Sequence, residues 1–231
     1  MYEEKMPLIM IPALLANKKM YQHQIDTLND IADVSVPEIH KHNNITDMAA
    51  DIIAKAPAQF ALAGVSMGGY VALEVMRQAP DRVTRLALIN TKATKDSDEV
   101  VAKRQEAIDN MREETFIENV KEMAKKFYLP ENDKDGCLSN LMAEMAKEVG
   151  MQGFINEMVA IINRIDSTPF LKDIKTKTAV ICGRNDLIID DMKVMATQIP
   201  LAKFVVVEAC AHLSPIEQPI AISALIRYWL R

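Results

Sequence analysis

The chain has 231 residues, of which 49% are apolar and 26% charged, with a net charge of −5. That balance suits one globular domain with a sizeable core, and the scattered basic residues exclude a nucleic-acid footprint. No apolar run is long enough to span a bilayer. The cysteines Cys137, Cys182 and Cys210, odd in number and without C-x-x-C spacing, exclude a disulfide framework and point to a reducing, cytoplasmic setting.

The first apolar run, "PLIMIPALLA" (7–16), follows the net-acidic "MYEEKM" and contains two prolines. It reads as a buried strand over 7–12 entering a loop rather than as a leader peptide. A helix near 19–30, a strand over 32–39, a helix near 46–56, a strand over 59–65, a helix near 68–79 and a strand over 85–91 follow. After a long gap come a strand over 178–183, a helix near 190–198, a strand over 203–209 and a helix near 218–230. Several strands are continuous apolar runs, as in a parallel sheet covered on both faces. The alternation predicts an α/β fold with a mainly parallel sheet of about six strands flanked by helices.

Residues 95–165 break the alternation. This stretch carries only helical patterns, separated by "ENDKDG" and by Gly150 and Gly153. Phe116, Val120, Met123 and Phe127 are spaced as one helical stripe, Phe154, Met158, Ile161 and Ile165 as another, and Val101, Ile108 and Met111 suggest a third. Such stripes serve core packing first. A helical insertion over one end of the sheet also allows some of them to face a ligand. The predicted division is therefore a core of 1–94 and 166–231 with a helical lid of 95–165.

Between the third strand and its helix lies "GVSMGG", which gathers three of the seven glycines around Ser66. Gly64-x-Ser66-x-Gly68 between a strand and a helix is the nucleophile-elbow pattern. The turn is so tight that side chains at Gly64 and Gly68 would collide, and it lifts the Ser66 hydroxyl to a helix N-terminus.

A serine hydroxyl needs a base to take its proton. Of the four histidines, His23 lies within a helical pattern, and His40 and His42 in the polar "HKHNN" turn. His212 follows the last strand, at the same carboxyl edge of the sheet as Ser66. The orienting acid is expected after the preceding strand, and "CGRND" supplies Asp186 there. Asp190 and Asp191 begin the next helix and read as its caps.

Strand–G-x-S-x-G–helix, a helical insertion, G-x-x-D after the next strand and a late "HLSPIEQP" loop resemble the α/β-hydrolase superfamily over nearly the whole chain. The likeness is nearest to its small bacterial esterase and haloperoxidase-like branch, through "PALLANKKMYQHQIDTL", "GVSMGGYVALEVMRQAPDRVTRLALIN" and "DSTPFL". The family's full sheet has eight strands, and this chain begins at the third. The resemblance implies the α/β-hydrolase fold and an oxyanion hole from the backbone N–H of Met67 and of a residue after the first strand, Leu14, with Leu15 as the alternative. Ala13 stands where the family commonly has glycine, and would be strained if that position requires φ > 0. Ala211 likewise replaces a usual glycine before His212.

These residues predict a serine hydrolase acting on a small or medium acyl ester through a Ser66–His212–Asp186 triad and an acyl-enzyme. It would need no cofactor or metal, and would exist as a monomer or homodimer with a small-molecule acyl substrate as its partner. The same triad would serve acyl transfer, perhydrolysis, or thioester or carbon–carbon bond hydrolysis, and a ligand-binding protein on this scaffold is a further alternative. Arg104, Arg112 and Arg164 are expected on the surface, the alternative being contact with a carboxylate or phosphate carrier.

Overall fold

A computed structural model describes residues 5–231. Six strands, β1 (Met6–Ile11), β2 (Ala32–Ser35), β3 (Phe60–Val65), β4 (Val83–Ile89), β5 (Thr178–Gly183) and β6 (Ala202–Val207), form one sheet in the order β2-β1-β3-β4-β5-β6. Every neighbouring pair is parallel. All strands therefore end at one edge, and the order reverses between β1 and β3, where open α/β sheets form a crevice.

The helices are α1 (Gln22–Leu28), α2 (Ile45–Lys55), α3 (Met67–Gln78), α4 (Asp98–Asn110), α5 (Phe116–Ala124), α6 (Cys137–Ile162), α7 (Ile189–Gln198), α8 (Ser214–Glu217) and α9 (Pro219–Leu230). Alternation along the buried strands sorts their side chains between two cores. Ile9, Ile11, Phe60, Leu62, Leu86, Leu88 and Val180 pack on one face with α2, α3 and α7. Leu8, Met10, Ala61, Ala63, Ala87, Ile89 and Ile181 pack on the other with α9 and part of α6. Each fully buried aliphatic side chain contributes about 1.5–3 kcal/mol, so both apolar faces hold the sheet.

Several boundaries differ from expectation. β2 stops at Ser35, ahead of Pro37, which has no N–H for a ladder. β4 ends at Ile89 because Asn90 turns left-handed at φ 45°. The last predicted helix matches α9, and a short unpredicted helix, α8, precedes it, set off by Gln218 at φ −130°. Asp190 and Asp191 lie in the first turn of α7 and make no cap bond, the N-cap being Ile188.

Between β4 and β5 the chain runs through α4, α5 and α6, with α6 interrupted by Gly150 at φ 76°, ψ 166°. Phe116, Val120, Phe154 and Met158 form a small third core with Leu15 from the loop after β1. Ile165, the last member of its predicted stripe, is 58% exposed because the helix stops at Ile162. No helix among the described residues is long and apolar enough to cross a membrane.

Candidate active site

Ser66 occupies the turn between β3 and α3 at φ 53°, ψ −115°, a region that costs a non-glycine residue about 1–3 kcal/mol. The bend is bonded on both sides: its N–H donates to the Ile89 carbonyl at 3.0 Å, and its carbonyl accepts from Thr91 Oγ1 at 2.7 Å. A Cβ on Gly64 would lie 2.2 Å from the Gly68 carbonyl oxygen, and one on Gly68 would lie 2.2 Å from that of Ile11. Only glycine fits at either position.

The strand ends bring Ser66, Asp186 and His212 together. His212 Nε2 lies 2.8 Å from Ser66 Oγ, and His212 Nδ1 lies 2.8 Å from Asp186 Oδ2. Asp186 is buried, at 5% exposure. Burial pushes its carboxyl up, but His212 and Asn90 outweigh that and hold it below the usual carboxylate range. With Nδ1 bonded to a carboxylate, Nε2 is the imidazole nitrogen that can take a hydroxyl proton.

The histidine's backbone is gripped from two directions. The N–H groups of His212 and Leu213 both donate to the Phe127 carbonyl, at 3.0 and 3.1 Å. Glu217 Oε1 accepts from the N–H of Ala211 at 3.0 Å and of Leu213 at 3.2 Å. The Phe127 ring lies against the imidazole with centroids 5.4 Å apart.

Asn90 is a site-supporting residue that the sequence reading absorbed into a strand. Fully buried, it donates to Asp186 Oδ2 at 2.7 Å and to the Ala211 carbonyl at 3.0 Å, and accepts from Ser214 Oγ at 2.5 Å. It thus ties the acid to both sides of the histidine. The signal available was an asparagine closing an apolar run at the carboxyl edge of the sheet.

Of the loop after β1, Leu14 faces the cavity that holds Ser66. Leu15 N–H donates to Glu157 Oε2 at 2.8 Å, which engages it elsewhere, whereas Leu14 N–H has no acceptor among the described residues. The left-handed residue is Leu15, at φ 58°, and not Ala13. Met67 N–H belongs to the first turn of α3, where no intrahelical acceptor exists. Glu157 has no exposed surface, and burial, opposed by the Leu15 N–H, pushes its acid up to about 8.

The cavity measures about 200 Å³. Met123, Phe127, Val120, Met142 and Ile161 supply apolar wall from the segment between β4 and β5, and Lys92, Asp96 and Arg104 supply charge. Two of the three arginines expected on the surface are not there. Arg164 is 7% exposed, bonded to Asp96 by both terminal nitrogens, and Arg104 bonds Asp96 from the cavity wall. Arg112 caps the backbone of Asp109 and Met111 outside.

The remaining histidines stay away from the site. His23 bonds Ser223 at 2.8 Å, and His42 lies 3.9 Å from Asp51; His40 packs beside Gly153. Cys182 and Cys210 are buried, and burial raises both thiols, Cys182 to about 12, which makes them inert fillers. Among the described residues no group of three or more His, Cys, Asp or Glu could hold a metal ion.

A parallel sheet with a strained serine between strand and helix, an imidazole on its hydroxyl and a buried acid behind defines a hydrolase of the α/β type. The alpha/beta hydrolase fold family matches residues 53–219, and the chain belongs to it. Among solved structures it is similar to a thermophilic esterase from Thermogutta terrifontis solved with malate bound, at 27% identity and TM-score 0.90, covering 98% of this chain and 89% of that one. It also resembles in fold the enol-lactonase of Burkholderia xenovorans LB400, at 20% identity and TM-score 0.87, covering 98% and 92%. An esterase from Exiguobacterium antarcticum follows at 18% and TM-score 0.80, covering 98% and 92%. No curated protein matches the chain in sequence.

Proposed function

We propose that the protein is a serine hydrolase that cleaves a small acyl ester through an acyl-enzyme. The observation that carries this reading is the unbroken hydrogen-bond chain Asp186–His212–Ser66, opening on one cavity. Ser66 Oγ attacks the acyl carbonyl while His212 Nε2 takes its proton. Asp186 keeps the imidazole oriented and stabilises its charged form. Met67 and Leu14 N–H groups receive the oxyanion, each worth about 3–4 kcal/mol in such sites. His212 then protonates the leaving alkoxide, and water, activated by the same imidazole, releases the acid. The helices of 95–165 serve as a lid that supplies the apolar wall and keeps bulk water from the acyl-enzyme, over a core of 1–94 and 166–231.

The test is labelling with a fluorophosphonate, read by intact mass. Wild-type protein is expected to gain one adduct at Ser66, absent from Ser66→Ala and at least about a hundredfold slower in His212→Ala. A folded wild-type protein that stays unlabelled would overturn the reading.

A further inference from the structure

The cavity that holds Ser66 and His212 has a charged wall that the proposed ester chemistry does not use. Asp96 has its carboxylate buried, with a side chain 1% exposed, and three cations converge on it. Arg164 reaches it through two nitrogens at 2.9 and 2.8 Å, Arg104 Nε lies 2.7 Å away and Lys92 Nζ lies 3.2 Å away. Burial pushes the Asp96 carboxyl up, but the guanidiniums of Arg164 and Arg104 hold it far below the usual carboxylate range, so it is ionised at every working pH.

One negative charge therefore meets three positive ones. Arg164 does not line this cavity: it is buried, stacked 4.2 Å over the Tyr70 ring, and bonded also to the carbonyls of Thr94 and Ile161. Arg104 and Lys92 are different, since both line the cavity, where Asp96 is the only acid among the described residues. Arg104 commits Nε to Asp96, Nη1 touches only the Met158 sulfur at 3.7 Å, and Nη2 has no acceptor among the described residues. Excess positive charge in a small apolar cavity is costly unless something negative enters with the ligand.

We propose that Arg104 and Lys92 form a carboxylate subsite, so that the substrate is a small ester bearing a second, free carboxylate. The subsite rests on the serine-hydrolase reading for its role in turnover, but not for its binding. A guanidinium fork matches the two oxygens of a carboxylate. The volume of about 200 Å³ compares with the roughly 150 Å³ that suffices for benzene, which points to the half-ester of a short dicarboxylic acid. Hydrolysis breaks its acyl C–O bond; water gives its hydroxyl to the new acid and a proton to the departing alcohol.

Binding is tested by calorimetry on Ser66→Ala protein, where nothing turns over. Monomethyl glutarate is compared with methyl 5-methylhexanoate, in which an isopropyl group replaces the carboxylate. The half-ester is expected to bind at least about tenfold tighter, and Arg104→Met or Lys92→Met, added singly, to weaken it about 10- to 100-fold. Asp96 keeps Arg164 in both variants, and circular dichroism verifies their fold. Equal affinity for the two esters, or indifference to both substitutions, overturns the subsite. Tighter binding of methyl 4-phosphonobutyrate than of the half-ester overturns the carboxylate assignment in favour of a phosphate. In wild-type protein the kcat/KM ratio of half-ester to neutral ester should exceed ten and fall in Arg104→Met; a ratio near one also counts against the subsite. Loss of the hydrolase reading shows separately, as an unlabelled Ser66.

Discussion

Asn90→Gly removes the side chain that joins Asp186, Ala211 and Ser214 while leaving the backbone comfortable at φ 45°. One lost hydrogen bond goes to a carboxylate and is worth about 1.5–3 kcal/mol; the two neutral ones are worth about 1 kcal/mol each. The expected loss is about 4 kcal/mol, or roughly 8–16 °C in Tm for a chain of this size. Asn90→Ala should lose about 1 kcal/mol more, because a Cβ is unwelcome in the left-handed region. The charged part depends on pH. Asp186 has a lowered pKa, so its contribution is present above the unfolded value of about 4 and is lost as pH falls through the lower folded value. Urea unfolding at pH 7 and pH 3 should therefore show a smaller gap between wild type and Asn90→Gly at pH 3. A variant within a degree of wild type at pH 7, or a gap that widens in acid, would refute the reasoning.

Glu157→Gln should stabilise the protein more as pH rises. Buried Glu157 stays protonated up to about 8 while its unfolded counterpart ionises near 4.3. Wild type thus loses about 1.4 kcal/mol per pH unit between those values, and the glutamine does not. Denaturation at pH 5 and pH 8 measures the difference, and a gap that stays flat with pH is the contrary result. Ser66→Gly should raise Tm above that of Ser66→Ala, because it relieves the strained dihedrals at φ 53°; a gain of about 1–2 kcal/mol is expected, and equal melting would show that the turn is unstrained.

The strands are legible because burial on both faces writes them as apolar runs, and the run 178–183 coincides with β5. That Ser66, Asp186 and His212 meet is legible because a parallel sheet collects the ends of its strands at one edge, whatever their separation in sequence. Arg164 was not: a lone arginine reads as surface, and its neutraliser Asp96 stands 68 residues earlier. Glu157 left a faint mark, an acid beside Phe154 and Met158 on a stripe that otherwise buries only apolar groups. The proposed oxyanion donor stays open between Leu14 and Leu15 in the sequence because the choice depends on Glu157 binding one N–H from 142 residues away. Pairings at such range exist only once the helices have packed.

The Phe127 carbonyl, shared by the N–H groups of His212 and Leu213, carries a mechanical consequence. The turn after α5 is bolted to the histidine, so swinging that turn outward would pull the imidazole from the serine. The looser panel is α4, which has no buried residue and is pinned near its start by the ion pair of Arg104 with Asp96 in the turn before it. That tie and the proposed carboxylate contact are the same guanidinium. An arriving anion would add a second tie to a helix that the first already pins at one end.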